Sequence, residues 1–267
     1  MTQWLDYNAV HGSGHTVYGT VKVLRHVQSP QLHNRRDLLV YLPPGYDAGD
    51  RRYPAVYMHD GQNLFDRATS FSGEWAVDKT LNEASRDGLE VIVVGIPNMG
   101  AERIDEYSPF ADDRMGGGRG DAYVDFLADT VKPLVDRSFR TQAGAAQTGV
   151  AGSSMGGLIS LHALLSRSDV FGFAGVMSPS LWFARRAVFE RVAALRAPIG
   201  RLYLDVGTEE HPDAVRDVRH LRRLLRRAGY RRSTLKFVLD RGGRHHEAAW
   251  SRRLRSALEF LVRPVSR

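Results

Sequence analysis

Eight short apolar or alternating segments, separated by stretches of helical periodicity, run through this chain of 267 residues, and that order admits few folds. The strand-like segments fall at 16–25, 36–42, 54–59, 91–96, 147–152, 172–177, 201–206 and 235–240. Helical patterns fall at 75–86, 121–137, 155–166, 212–228 and 247–262. Alternation of this kind predicts an α/β fold, a mostly parallel eight-stranded sheet with helices on both faces and one domain over residues 1–267. The first two segments alternate as antiparallel edge strands do, whereas the run from Val91 to Ile96 is apolar throughout and suits a central strand covered on both faces. Asp121 is placed to cap the second helix and Gly229 to end the fourth, and Pro133 should kink the second because it removes a backbone donor. The loops at 61–73 and 97–120 are long and glycine-rich, as loops that wall a binding site are.

Composition narrows the function classes. The chain is 43% apolar and 25% charged, which excludes a disordered or collagen-like protein. It has no cysteine, so disulfides, thiolate metal sites and a cysteine nucleophile are excluded. The net charge is +7, and only four of the 37 basic residues are lysines (Lys22, Lys79, Lys132 and Lys236). Arginine stands even at isolated loop positions, which reads as a compositional habit rather than a polyanion surface. The N-terminus lacks a basic region followed by an apolar run, and no apolar stretch is long enough to span a membrane, so a cytoplasmic protein without a membrane partner is expected.

The most specific local signal is Gly152-Ser153-Ser154-Met155-Gly156, a G-x-S-x-G pattern centred on Ser154 between a predicted strand and a predicted helix. In a nucleophile elbow the sharp turn lifts the serine oxygen clear, and side chains two positions to either side would collide, hence Gly152 and Gly156. A phosphate loop is excluded because no lysine follows the glycines. A serine hydroxyl needs an imidazole to take its proton. Gly242-Gly243-Arg244-His245-His246-Glu247 follows the last predicted strand, and His245 is preferred because His246 stands nearer the helix start. A metal site on His-His-Glu is disfavoured, since adjacent side chains diverge and no H-E-x-x-H spacing occurs. The acid should follow the preceding strand, where Glu210 is the first choice and Asp213, Glu209 and Asp205 remain alternatives. For the oxyanion, Met155 supplies one backbone N–H and Gln62, in the loop after the third strand, the second; His59 and Asp60 are read as loop braces.

The stretches LLVYLPPGY, YPAVYMHDGQNLFD, VIVVGI, RIDEYSPF, GSSMGG, MSPSLWF, DVGTEE and GGRHHEAAW, in that order, resemble the Putative esterase family of α/β-hydrolases. Feruloyl and acetylxylan esterases, enterochelin esterases and S-formylglutathione hydrolases belong to it, with mycolyltransferases more distant. The likeness runs from about Arg36 to Leu261. It implies an α/β-hydrolase fold with an eight-stranded sheet and a triad of Ser154, an acid in the turn 207–210 and His245; no large inserted cap stands in the sequence. Many relatives carry Asp where Glu210 stands.

The expected activity is hydrolysis of a small-molecule carboxylic ester through an acyl-enzyme on Ser154, with no cofactor and no metal. Phe65, Phe71, Trp75, Met99, Met115 and Trp182 lie in or beside the loops around Ser154, with Trp182 and Phe65 the chosen pocket residues. An open cleft of this kind favours short or aromatic acyl esters. A siderophore esterase or an acyltransferase of the same fold is the alternative, and a catalytically silent scaffold is another. From a different class comes a nucleic-acid or acidic-surface binder built on the arginines of 212–228. The apolar stripe of Val215, Val218, Leu221, Leu225 and Ala228 makes those arginines an ordinary solvated face instead.

Overall fold

A computed structural model of the chain describes residues 3–262. Nine strands form one sheet: β1 (Leu5–Asp6), β2 (Thr20–Ser29), β3 (Asn34–Leu42), β4 (Ala55–His59), β5 (Ile92–Ile96), β6 (Thr148–Ser153), β7 (Phe173–Met177), β8 (Arg201–Gly207) and β9 (Leu235–Asp240). Their spatial order is β1-β2-β3-β5-β4-β6-β7-β8-β9, antiparallel up to β5 and parallel from β5 onward. The eight expected strands are all present, and the ninth, β1, is a two-residue edge. A two-residue hairpin, Ala111–Asp112 with Gly116–Gly117, lies outside the sheet.

The central strands are buried on both faces, and their residues divide between two cores by alternation. Ala55 and Tyr57 of β4 join one apolar cluster while Val56 and Met58 join the other; Ile92, Val94 and Ile96 of β5 face the first, and Val93 the second. Helices cover both faces: α1 (Val77–Ala84), α2 (120–138), α3 (Met155–Ser166), α4 (Pro212–Arg227) and α5 (Glu247–Val262).

Three local expectations are corrected. The first strand was expected at 16–25 and runs over Thr20–Ser29, because Gly19 has a φ of 78° and the ladder continues past a bulge between Leu24 and Val27, where His26 has a φ of 57°. Asp121 does not cap α2; it sits in the first turn, and its carboxylate meets His162 Nε2 at 2.7 Å. The connection 97–120 is partly ordered, with a helical turn at Arg103–Glu106 and the small hairpin. Pro133 is accommodated by a wide π-wound stretch, Phe126–Val131, just upstream, which relieves the crowding its ring imposes on the preceding turn. Gly229, with a φ of 95°, follows the end of α4 as expected.

The arginine-rich helix α4 buries Val218, Leu221, Leu224 and Leu225 against the sheet. Its charges are partly spent within the protein: Arg216 pairs with Asp213 at 2.8 Å, and Arg222 lies 4.6 Å from the centre of the Phe237 ring. Among the described residues, no helix is long and apolar enough to cross a membrane.

Two buried ionisable groups tie the loops to the sheet. Arg36 of β3 grips Glu106 through two nitrogens at 2.6 and 2.8 Å, with both side chains almost fully removed from solvent. His59, at the end of β4, has Nδ1 2.9 Å from the Tyr123 hydroxyl of α2, and burial lowers its pKa from 6.5 to about 3.

Breaking the first pair leaves a buried guanidinium without its counter-charge. Glu106→Gln should therefore lower unfolding free energy by about 3 kcal/mol, read as a lower urea midpoint at unchanged slope. The second group sets an acid limit. The unfolded histidine takes a proton near pH 6.5 and the folded one not until about pH 3, so stability falls as pH drops through that window, by about 2 kcal/mol from pH 6.5 to about pH 5 for this group alone. Burial of His162, whose pKa falls to about 4, acts in the same direction. Urea unfolding at about pH 7.5 and about pH 5 should show a smaller acid loss in His59→Gln than in the wild type; equal losses would rule His59 out as a source of the acid sensitivity.

Candidate active site

All the parallel strands end at one edge of the sheet, and the site is assembled there from the residues that follow them. The chain leaves β4 toward β5 on one side and returns to β6 on the other, so β4 and β6 flank the switch point where crevices open in such sheets. Gln62 follows β4, Asn98 follows β5, Ser154 follows β6, Ser178 follows β7, Glu210 follows β8 and His245 follows β9.

Ser154 occupies the turn between β6 and α3 with φ 58° and ψ −122°, a conformation an L-residue rarely adopts. Three backbone bonds hold it there. Its N–H donates to Met177 O at 3.0 Å, and its carbonyl accepts from Ser180 N–H at 3.0 Å and Leu158 N–H at 3.1 Å. The flanking glycines are required by close approach. A Cβ at Gly152 would stand 2.9 Å from His59 Cδ2 and 3.0 Å from the Gly156 backbone, and one at Gly156 would stand 3.3 Å from His59 Cβ. Ser154 Oγ lies 3.1 Å from Ser180 Oγ.

His245 Nδ1 is 2.8 Å from Glu210 Oε2. The other Glu210 oxygen accepts from Gly207 N–H at 2.7 Å and from the Ser178 hydroxyl at 2.6 Å. Burial alone would raise the pKa of this carboxyl, but the hydrogen bonds from His245, Ser178 and Gly207 outweigh it and hold the group below its ordinary value. The three alternative acids are engaged elsewhere: Glu209 with Arg244 at 2.7 Å, Asp213 with Arg216 at 2.8 Å, and Asp205 with Arg253 at 3.1 Å. His246 stands at the start of α5, where Nδ1 accepts from Ala249 N–H at 3.3 Å.

The loop after β4 is braced from below. The Asp60 carboxylate receives Nε and Nη2 of Arg103 at 2.7 and 2.8 Å and Asn98 Nδ2 at 2.6 Å, while Asp60 N–H donates to Tyr107. Gly61 packs on β5 so closely that a Cβ would sit 2.6 Å from the Gly95 and Ile96 backbone. The Gln62 side chain accepts from Asn98 N–H at 3.1 Å. Among the described residues, the backbone N–H groups of Gln62 and Met155 donate to no other group.

Ser154, His245 and Gln62 line one cavity of about 370 Å³ with Phe71, Trp75 and Trp250. On the far side of His245 a second lobe of about 480 Å³ is lined by Pro179, Ser180, Trp182 and Glu210. Trp182, half exposed, lines this lobe together with His245. Phe65 lines neither cavity. It is 1% exposed and packs in the core against Tyr41, because the helical turn at Gly61–Asn63 directs it under the sheet rather than into the cleft. Met99 lines a neighbouring cavity with Tyr7 and Leu39. The connection from β7 to β8 holds a left-handed turn at Ala184–Arg186 and one short helix, Val188–Ala193. Among the described residues, no group of three or more His, Asp or Glu is arranged to hold a metal ion.

Ser178, Ser180 and Trp250 are site residues that the sequence reading passed over. The signal for the first two was available: Met177-Ser178-Pro179-Ser180 leaves its strand at the same sheet edge as Ser154. Trp250 carried none, since a tryptophan in the first turns of an amphipathic helix reads as core.

Comparison with known proteins agrees with this architecture. The model of the family described as Putative esterase matches residues 29–261. An uncharacterized protein of Bacillus subtilis, YbbA, is 28% identical over 241 residues, covering 85% of this chain and 92% of its own. The siderophore triacetylfusarinine C esterase of Aspergillus fumigatus is 31% identical over 147 residues, covering 53% of this chain and 49% of that protein. Among solved structures, the BES protein from Bacillus cereus superposes with a TM-score of 0.70 at 22% identity, over 90% of this chain and 95% of that one, a likeness of fold. The sheet, the turn at Ser154 and a family match spanning most of the chain lead to one conclusion: this protein belongs to the Putative esterase family and has the α/β-hydrolase fold.

Proposed function

We propose that the protein is a serine carboxylic-ester hydrolase in which Ser154 is the nucleophile, His245 the base and Glu210 the acid. The observation that carries this reading is the strained Ser154, opening into the same cavity as a histidine whose Nδ1 is held by a buried carboxylate. With Nδ1 donating to Glu210, the lone pair of Nε2 is left for the serine proton. Ser154 Oγ turns from Ser180 to His245, attacks the ester carbonyl and passes its proton to Nε2. The oxyanion forms against the Met155 and Gln62 amides, which among the described residues have no competing acceptor. Collapse returns the proton to the leaving alcohol, and water repeats the sequence on the acyl-enzyme.

Short or aromatic acyl esters are the proposed substrates. In support, the cavity beside Ser154 holds about 370 Å³, and its lining sets the exposed Phe71 ring and the largely buried Trp75 and Trp250 among polar side chains, which suits a short or planar acyl group. Siderophore esters are the second reading, favoured by the 31% identity to the fungal siderophore esterase and by the roomy lobe beside Trp182.

Ser154→Ala should keep the fold and cut ester hydrolysis by about 10⁴-fold or more, and a fluorophosphonate should label Ser154 in the wild type. Full activity in that variant, or label on Ser153, would falsify the assignment. His245→Ala should be as damaging, His246→Ala mild, and Glu210→Gln severe while Asp213→Asn is not. Among p-nitrophenyl esters, rates should be highest for short or aromatic acyl groups, because each further methylene gains about 0.8 kcal/mol only where a groove receives it. A maximum at about ten carbons or more would remove the substrate proposal and leave the mechanism standing.

A further inference from the structure

A hydroxyl has one proton to give and two lone pairs to receive with. At Ser178 both lone pairs are taken by groups that can only donate: Trp250 Nε1–H at 3.0 Å and Arg253 Nη2–H at 3.1 Å. The proton is left with one direction, toward Glu210 Oε1 at 2.6 Å. We propose that Ser178 is a positioning residue for Glu210, its hydroxyl oriented by Trp250 and Arg253 so that the carboxylate is held as an acceptor and aimed at His245. The proposal rests on the triad reading above.

The seat of this hydroxyl is built with unusual care. Ser178 has a φ of 40° and is 2% exposed; its N–H donates to Asp205 Oδ1 at 2.9 Å and to Asp205 O at 3.1 Å. Arg253 is hydrogen-bonded to Asp240 through Nη1 at 3.1 Å, and its Nε lies in ion-pair contact with Asp205 Oδ2 at 3.1 Å without hydrogen-bond geometry. A continuous polar chain, Asp205–Arg253–Ser178–Glu210–His245, therefore links three parallel strand ends to the base. Trp250 also packs edge-on against the His245 ring, 5.0 Å between centres.

The charged and titratable groups that face Glu210 and His245 are Asp205 and Tyr203 of β8, Asp240 of β9, Arg253 of α5 and the Glu209–Arg244 pair at the rim, with His211 and Asp213 at the start of α4 in one adjoining cavity and Asp60, Arg103, His246 and Glu247 in the other. The Ser178 proton and the Arg253 charge both place positive potential beside Glu210. Removing the hydroxyl makes the carboxylate more basic and binds the imidazolium form of His245 more tightly. The base then loses its proton at higher pH.

Two variants separate orientation from folding. Ser178→Ala removes the hydroxyl; Ser178→Gly removes it and also relieves the positive φ, so the glycine variant is the safer fold. Both should lower kcat by about tenfold with KM nearly unchanged, and shift the acid limb of the kcat/KM profile upward by about half a pH unit. Trp250→Phe keeps a ring, frees one lone pair and should shift the limb in the same direction by less. A folded Ser178 variant with wild-type rate and limb overturns the proposal. So does a rate loss with the limb unmoved, which is the signature of a merely structural role, and if neither Ser178 variant folds an unmoved limb in Trp250→Phe does the same. Ser154→Ala distinguishes the two levels: if it stays active the triad reading fails, whereas if it is inactive and the limb does not move, only the Ser178 role fails.

Discussion

Parallel pairing from β5 to β9 is the constraint on which the rest of this molecule hangs. Strands that run the same way deliver their carboxyl ends to one edge, and each connection must start there before a helix carries the chain back. Residues 62, 154, 178, 210 and 245 are far apart in the chain and become neighbours for that reason alone. The reversal of winding between β4 and β6 then opens a crevice between the Gln62 loop and the Ser154 turn.

That edge tolerates strain because the layers beneath it are over-determined. Ser154 and Ser178 both have positive φ, and the N–H of each donates to a neighbouring strand, bonds that a relaxed backbone would forfeit. His59 supports the elbow from the underside, so close that a side chain at Gly152 would press on its ring, while one at Gly156 would crowd its Cβ. Burial of His59 keeps it neutral, and it serves as a shaped wedge rather than a base.

Charge in this region is buried only in company. Glu210 has three donors, and Arg253 lies between Asp205 and Asp240. Asp205 pays for its position: complete burial pushes its pKa up to about 7 even with Arg253 alongside. The same logic explains the Arg36–Glu106 pair, which anchors the 97–120 connection to β3 and so fixes the Arg103–Asp60 clamp beneath Gln62. Loop, clamp and amide form one mechanical unit.

The α/β class, the eight principal strands, the limits of α3 and the start of α5 were legible because their signals are local: alternation, glycine punctuation and a serine between a strand and a helix. The placement of Ser154 before α3 and of His245 before α5 follows from the same patterns, and the spacing of Gly152 and Gly156 already implied a tight turn. The sequence did not determine which side chains face the cleft. Phe65 and Trp182 look alike as aromatic residues in segments that follow strands, yet one is core and the other lines a cavity with His245, a difference set by how each segment leaves its strand. Nor could it choose among Asp205, Glu209, Glu210 and Asp213, which lie within nine residues, because an imidazole meets whichever carboxylate the turn after β8 presents. Hydrogen bonding is directional over tenths of an ångström, whereas sequence pattern resolves only faces and ends, so the partners of His245 and Ser178 were decided by the tertiary structure.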